Sequence, residues 1–238
     1  MRLDKALALS GMTRSEAKKC IAAGRVWVNG KPERDAGAHV EIFEVAVDGR
    51  PLNASEALYI MLHKPAGVVT ATEDGRFPTV IDLLPEALRR RKLGPVGRLD
   101  RDVTGLVLLT NDGVLAHRLT SPRWKAEKAY LARCEGTLSE DDIQTFAAGV
   151  ALNDGAALPA KLEILSTGAE ETIARATLTE GRFHQVKRMF AAIGHPLSSL
   201  RRERIGCVQL DDALQEGQWR YLTEKEISGL KQMTDMEE

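Results

Sequence analysis

The chain of 238 residues is poor in cysteine, in net charge and in long apolar runs. Its three cysteines, Cys20, Cys134 and Cys207, lie far apart and form no CxxC or Cys/His cluster. That excludes a disulfide framework and a zinc site, and leaves reduced packing residues. No stretch approaches the ~20 apolar residues of a membrane span. The opening Met1-Arg2-Leu3-Asp4-Lys5 lacks the apolar core of a secretion signal, so a cytoplasmic protein with no membrane contact is expected. A Walker loop, a GxGxxG turn and a GxSxG elbow are missing too, which argues against nucleotide hydrolysis, dinucleotide redox chemistry and serine-hydrolase chemistry.

The net charge of −1 is unevenly spread. Residues 1–40 carry a net +4 and residues 181–204 a net +5, with a third basic run at Arg89-Arg90-Arg91-Lys92. Basic regions on a chain that is neutral overall point to a shaped polyanion-binding face. Length predicts one main domain plus a small module. Residues 1–47 read as that module: apolar residues at helical spacing to a stop at Gly11, a capping box at Thr13/Glu16, a helix to Gly24, and the Asn29-Gly30 hairpin turn. Arg14, Lys18 and Lys19 share one helix face, and Arg25 and Lys31 flank the hairpin. Residues 48–57, rich in Gly, Pro, Asn and Ser, read as a linker.

From 58 to 238 the pattern is α+β, with strands joined by hairpin-length connections and a largely antiparallel sheet. Strands are expected at 59–64 (resuming at Val68-Val69-Thr70), 106–110, 128–135, 161–166, 172–179 and 205–210. Helices are expected after Asn111 or Asp112 and around 184–193, and a frayed acidic tail at 233–238.

The stretch GRLDRDVTGLVLLTNDG (97–113) holds three aspartates. Asp112 beside Gly113 reads as turn and cap chemistry. Asp100 and Asp102 face one way in an extended chain, but two carboxylates flanked by Arg98 and Arg101, with no supporting His or Glu, make a poor cation cage, so no metal is expected. A buried carboxylate needs a cationic partner to stay ionised, and the basic EGRFHQVKRMF (180–190) can provide one. Spacing alone does not say which cation meets which aspartate.

These stretches, with HKPAGVVTATED (63–74) and EKAYLA (127–132), resemble in order the motifs of the RsuA/RluA superfamily of pseudouridine synthases, and residues 1–47 resemble the S4 RNA-binding domain. The resemblance implies a cofactor-free isomerase that turns a uridine of RNA into pseudouridine after flipping it from the stack. It assigns catalysis to Asp100, base replacement to Arg98, stacking on the uracil to Tyr130, and pairing with the catalytic carboxylate to Lys187. Asp102 is left to local support. Lys64 and Pro65 are expected at the floor of the site near RNA phosphate, and Arg182, His184 and Arg188 are expected to contact RNA. Thr104 and Gly105 are expected to hold the loop that presents Asp100. The stretch from Arg201 to Ile227 is most similar to the member acting on small-subunit (16S) rRNA at uridine 516, free or in a partly assembled subunit. The same reaction on large-subunit rRNA and a non-catalytic S4-type binding protein are the alternatives. A monomer is expected.

Overall fold

Thr13 and Glu16 close the reciprocal cap that their spacing predicts: the Glu16 N–H donates to Thr13 Oγ1 at 3.1 Å, and the Thr13 N–H donates to Glu16 Oε2 at 2.6 Å. That cap starts the second helix of the smaller of two units in the computed structural model, which describes residues 1–9, 12–40, 44–52, 57–168 and 170–236. The units comprise 1–58 with 90–92, and 59–89 with 93–238.

The first unit contains helices α1 (Leu3–Leu9) and α2 (Arg14–Ala22) and short strands β1 (Val26–Val28), β2 (Lys31–Pro32), β3 (Val45–Val47) and β4 (Arg50–Pro51). The strands pair antiparallel in the order β2-β1-β3-β4. Leu3, Ala6 and Leu7 of α1 and Ala17, Cys20 and Ile21 of α2, each set at three- and four-residue spacing, form one buried core with Val26 and Val45. Asn29 and Gly30 have φ of 50° and 75°, the positive pair a two-residue hairpin turn requires. Arg50–Pro51 pairs with β3 and so belongs to this unit, not to a connection. Residues 53–56 of the expected linker, and the helix stop at Gly11, lie outside the described residues.

The second unit is built on a sheet of nine strands. In chain order its elements are β5 (Tyr59–Lys64), α3 (Glu86–Arg89), β6 (Gly94–Pro95), β7 (Thr104–Thr110), α4 (Gly113–Thr120), β8 (Lys128–Glu135) and α5 (Glu140–Ala148). There follow β9 (Lys161–Thr167), β10 (Glu171–Leu178), α6 (Gln185–Ala192), β11 (Leu197–Ile205), β12 (Val208–Gln209), β13 (Trp219–Tyr221) and α7 (Glu224–Gln232). The sheet order is β13-β5-β7-β11-β8-β10-β9, with β6 on β7 and β12 on β11. All pairings are antiparallel except β7 with β11, in the centre. This is the largely antiparallel α+β fold expected. Among the described residues no helix is long and apolar enough to cross a membrane.

Strand β7 is buried from Gly105 to Thr110, which explains its unbroken apolar run: a central strand covered on both faces cannot alternate. Leu106 and Leu108 pack with Leu115 and Leu119 of α4 and with Leu230 of α7. Each such side chain contributes about 2 kcal/mol by leaving water. Asp112 caps α4, its Oδ1 accepting from the N–H groups of Val114 and Leu115 at 3.0 Å, and its Oδ2 accepting from the Tyr59 hydroxyl at 2.9 Å.

Four local expectations change. Val68-Val69-Thr70 does not resume a strand; only Val69 makes a bridge, to Thr79. The strand expected at 205–210 is instead the end of β11, a turn and β12, because β11 starts earlier, at Leu197, and pairs along its length with β8. Helices α5 and α7 were not anticipated, although the capping residues Ser139/Asp142 and Thr223/Glu226 announce both. The tail is packed as far as it is described: Thr234 is fully buried, and Arg118 Nη1 donates to its carbonyl at 2.6 Å.

Glu226 also joins α7 to the sheet. Its carboxylate accepts two bonds of 2.9 Å from Arg220 of β13, and with Arg220 as the first cause its pKa falls from 4.5 to about 2. The folded chain therefore binds this proton more weakly than the unfolded chain. The pair's contribution is complete above pH 4.5 and is lost as pH falls toward 2. Urea denaturation of wild type and Glu226→Gln should show a deficit of about 2 kcal/mol in the variant at pH 6 that shrinks steadily toward pH 3. An equal deficit at both pH values would contradict the pairing.

Candidate active site

The loop between β6 and β7 carries Arg98, Asp100 and Asp102, and its backbone is held from three directions. Lys64, the last residue of β5, is completely buried, and its Nζ donates to the carbonyls of Pro65 (2.9 Å), Arg101 (3.1 Å) and Val103 (2.7 Å). The Thr70 hydroxyl donates to the Leu99 carbonyl at 2.8 Å and accepts from the Leu99 N–H at 3.1 Å. The Gly67 N–H reaches the Arg101 carbonyl at 2.8 Å. Burial pushes the Lys64 pKa down to about 8, with the charges of Asp102 and Asp100 opposing it. Lys64 thus faces inward and braces the loop, which corrects the expectation that it lies against RNA phosphate: a cation with no exposed surface cannot reach a ligand.

Register then aligns the rest. Lys64 is opposite Gly105, Gly105 opposite Arg202 of β11, and Arg202 opposite Tyr130 of β8, so one row crosses four adjacent strands. Gly105 has φ of 108°, and a Cβ there would stand 2.3 Å from the Arg202 carbonyl oxygen. Only glycine lets β11 lie this close, which is the physical content of its place after Asp100 and before the apolar run.

From the other side, α6 brings its basic residues to the loop. Lys187 Nζ stands 3.1 Å from Asp100 Oδ2 and hydrogen-bonds Asp102 at 2.7 and 2.9 Å, so one ammonium joins two carboxylates. Although burial pulls the other way, the bonds to Asp102 and Asp100 raise the Lys187 pKa, and the bond from Lys187 lowers that of Asp102. His184 Nε2 lies 3.3 Å from Asp100 Oδ1. His184 sits in the left-handed region (φ 48°, ψ 31°) just before α6, and the buried Gln185 side chain accepts from the Arg182 N–H at 2.8 Å to fix that turn.

Asp100 lines a cavity of about 80 Å³ with Arg98, Tyr130, His184, Lys187 and Leu200. The Tyr130 ring is nearly buried, while Arg98 is exposed and its guanidinium has no hydrogen-bond or ion-pair partner among the described residues. A carboxylate held by Lys187 and His184 against tyrosine and leucine can take a proton or attack a carbon of a group lying on the tyrosine ring.

Other expected contacts are placed differently. Arg182 bonds Glu180, Asp154 and the carbonyls of Gly155 and Ala156, and Arg188 bonds Asp154 at 2.9 Å, so both guanidiniums tie the 154–156 turn to α6. In the first unit Arg14, Lys18, Lys19 and Lys31 are exposed, whereas Arg25 is paired with Asp48, an interaction that raises its pKa. The sequence reading passed over Thr70, Arg202, Gln185 and Phe183. The Phe183 ring is 78% exposed and stacks on His184 with centroids 3.8 Å apart. An exposed phenylalanine inside a basic motif was the available signal; nothing in the local sequence marks Thr70.

Comparison with known proteins gives the family. The RNA pseudouridylate synthase family model matches residues 58–192 and the S4 domain model residues 1–45. This chain belongs to the RNA pseudouridylate synthase family. The synthase is 45% identical over 232 residues to the uncharacterized RNA pseudouridine synthase YtzG of Bacillus subtilis (strain 168), covering 95% of this chain and 97% of the relative. It is also 45% identical over 235 residues to ribosomal small subunit pseudouridine synthase A of Escherichia coli (strain K12), covering 97% of this chain and all (100%) of the relative. A crystal structure of a pseudouridylate synthase superposes with a TM-score of 0.71 at 40% identity, over 97% of this chain and 99% of that one.

Gly105→Ala should cost this synthase about 3 kcal/mol or more, because the new methyl meets backbone at a positive φ. Urea denaturation checks it, and a loss below about 1 kcal/mol would mean that β7 and β11 separate easily.

Proposed function

We propose that this synthase isomerises one uridine of small-subunit (16S) rRNA, uridine 516, with Asp100 as the catalytic carboxylate. The observation that carries the reading is Asp100 itself: it lies between Lys187 at 3.1 Å and His184 at 3.3 Å, in the cavity that Tyr130 and Arg98 line. The likeness to the small-subunit enzyme of E. coli along nearly the whole chain supports the choice of RNA.

The uridine leaves the stack and its uracil lies on Tyr130, while the Arg98 guanidinium, which has no partner among the described residues, fills the vacated space. Asp100 removes the ribose C2′ proton. The C–H electron pair becomes a C1′=C2′ double bond, and the N1–C1′ bond breaks with its pair passing to the uracil. The uracil turns, C5 bonds to C1′ as Asp100 returns the proton to C2′, and release of the C5 proton to water with uptake of one at N1 restores the aromatic ring. Lys187 and His184 hold Asp100 to this geometry through the sequence of steps. The exposed cations of the first unit add phosphate contacts that weaken with salt. The substrate places the enzyme in the cytoplasm.

Pseudouridine mapping in cells lacking the protein should show loss at one small-subunit position, restored by wild type and not by Asp100→Asn. Loss at a large-subunit position would move the target, and rescue by Asp100→Asn would remove that residue from its role. In vitro, Arg98→Ala should lower turnover on structured rRNA by about 10- to 100-fold with an unchanged melting temperature; equal activity would contradict the flipping assignment.

A further inference from the structure

A second cavity, of about 380 Å³, opens on the other side of Arg98 and Tyr130 from Asp100. The two cavities share Arg98, Tyr130, Glu180, Gly181 and Arg182, so whatever fills the first lies beside the second. The second is the larger, and its size falls in the range of about 300–1,000 Å³ typical of sites for organic ligands.

Its walls carry cations without counterions. Lys128, at the start of β8, is half-buried, and its ammonium has no hydrogen-bond or ion-pair partner among the described residues. Burial first, and then the charge of Arg202, lowers its pKa. Arg202 is 3% exposed and touches no carboxylate; its Nε donates to the Leu106 carbonyl at 2.8 Å, its Nη1 to the Arg98 carbonyl at 3.5 Å, and its Nη2 has no acceptor. The Arg98 guanidinium likewise has no partner among the described residues. The one acid on the wall, Glu180, is already occupied by Arg182, Gln185 and the Leu158 N–H. Three cations whose charged groups meet no carboxylate among the described residues repel each other around one cavity, and an anion bound between them would offset that repulsion.

We propose that this cavity is a second RNA subsite, which receives the nucleotide next to the target uridine and holds its phosphodiester through Lys128, with Arg202 beneath adding to the positive field. The proposal rests on the reading that the target uridine enters the Asp100 cavity. It gives the enzyme a grip on one flanking nucleotide that is independent of the first unit. It also explains why Lys128 and Arg202, neither of which touches Asp100, lie along the wall behind Arg98: the guanidinium that replaces the flipped base is set between two occupied subsites.

The test uses full-length Asp100→Asn protein, in which binding is read without turnover, and the rRNA segment whose pseudouridine is lost in the deletion strain. Single methylphosphonates, which remove one backbone charge, are placed at each linkage flanking the target. Lys128→Gln should weaken binding about tenfold and lower the slope of log affinity against log salt by about one. One flanking methylphosphonate should cost Lys128-containing protein the same factor and the Lys128→Gln protein nothing. Thermal melts of Lys128→Gln and of Lys128→Met, which keeps the aliphatic stem, should match the parent, so either variant reports on the site. Losses that multiply at every linkage, or binding that ignores residue 128, would overturn the proposal. Competition by inorganic phosphate that depends on Lys128, with no single linkage mattering, would overturn it in favour of a free-anion site. Turnover by the wild-type chain on the unmodified segment is scored separately: its absence counts against the proposed function, whereas absence of coupling counts against the subsite alone.

Discussion

An ammonium group in the interior organises this enzyme. Lys64 ends the strand next to β7 and has no route to water, so its three N–H groups must find acceptors inside, and the carbonyls of Pro65, Arg101 and Val103 provide them. Those carbonyls belong to the turn after β5 and to the loop that carries Asp100. The lysine therefore converts a surface loop into a fixed feature of the sheet. Thr70 and Gly67 add bonds from the following segment, and the result is a carboxylate whose backbone is set before any substrate arrives.

The electrostatics of the site follow from a second economy of charge. Lys187 serves Asp100 and Asp102 together, and Asp102, 73% exposed in its side chain, keeps the ammonium half-neutralised on its solvent side. Asp100 faces the cavity instead, with His184 on its other oxygen. The arrangement separates two chemically identical residues by environment: one is a tether, the other is presented to the pocket. Beyond Arg98 the balance reverses: the one acid on the wall, Glu180, is taken up by Arg182 and Gln185, and Lys128 has no partner among the described residues. Under the proposed function, a polyanion passing along this edge would meet a carboxylate where its sugar is to react and positive charge where its backbone continues.

Much of the local structure was legible. The strand at 128–135 is found as expected, α4 begins after Asp112 as the cap requires, and the Asn29-Gly30 turn and the Thr13 cap form as their spacing indicates. These are short-range effects, set by capping oxygens, positive φ and apolar period. The misses have the opposite character. The length of β11 is set by its antiparallel pairing with β8, a strand distant in the sequence, and Val68–Thr70 fails as a strand because Thr70 is drawn to Leu99. Helices α5 and α7 were the exception, since their capping pairs were visible in the sequence.

The site divides the same way. The sequence by itself determined the chemical inventory: two candidate carboxylates, of which the family resemblance singles out Asp100, a basic segment able to face them, a tyrosine in a strand, and glycine at 105. Which groups meet was decided by register and by the crossing of α6 over the loop. One row from Lys64 through Gly105 and Arg202 to Tyr130 places four distant segments side by side, and a one-residue slip in any pairing would turn its side chain to the other face. Burial then reassigned the cations: Lys64 went inside, Arg182 and Arg188 went to a turn, and Lys187 went to two aspartates. Solvent exposure is a property of the assembled sheet, and no spacing along the chain encodes it.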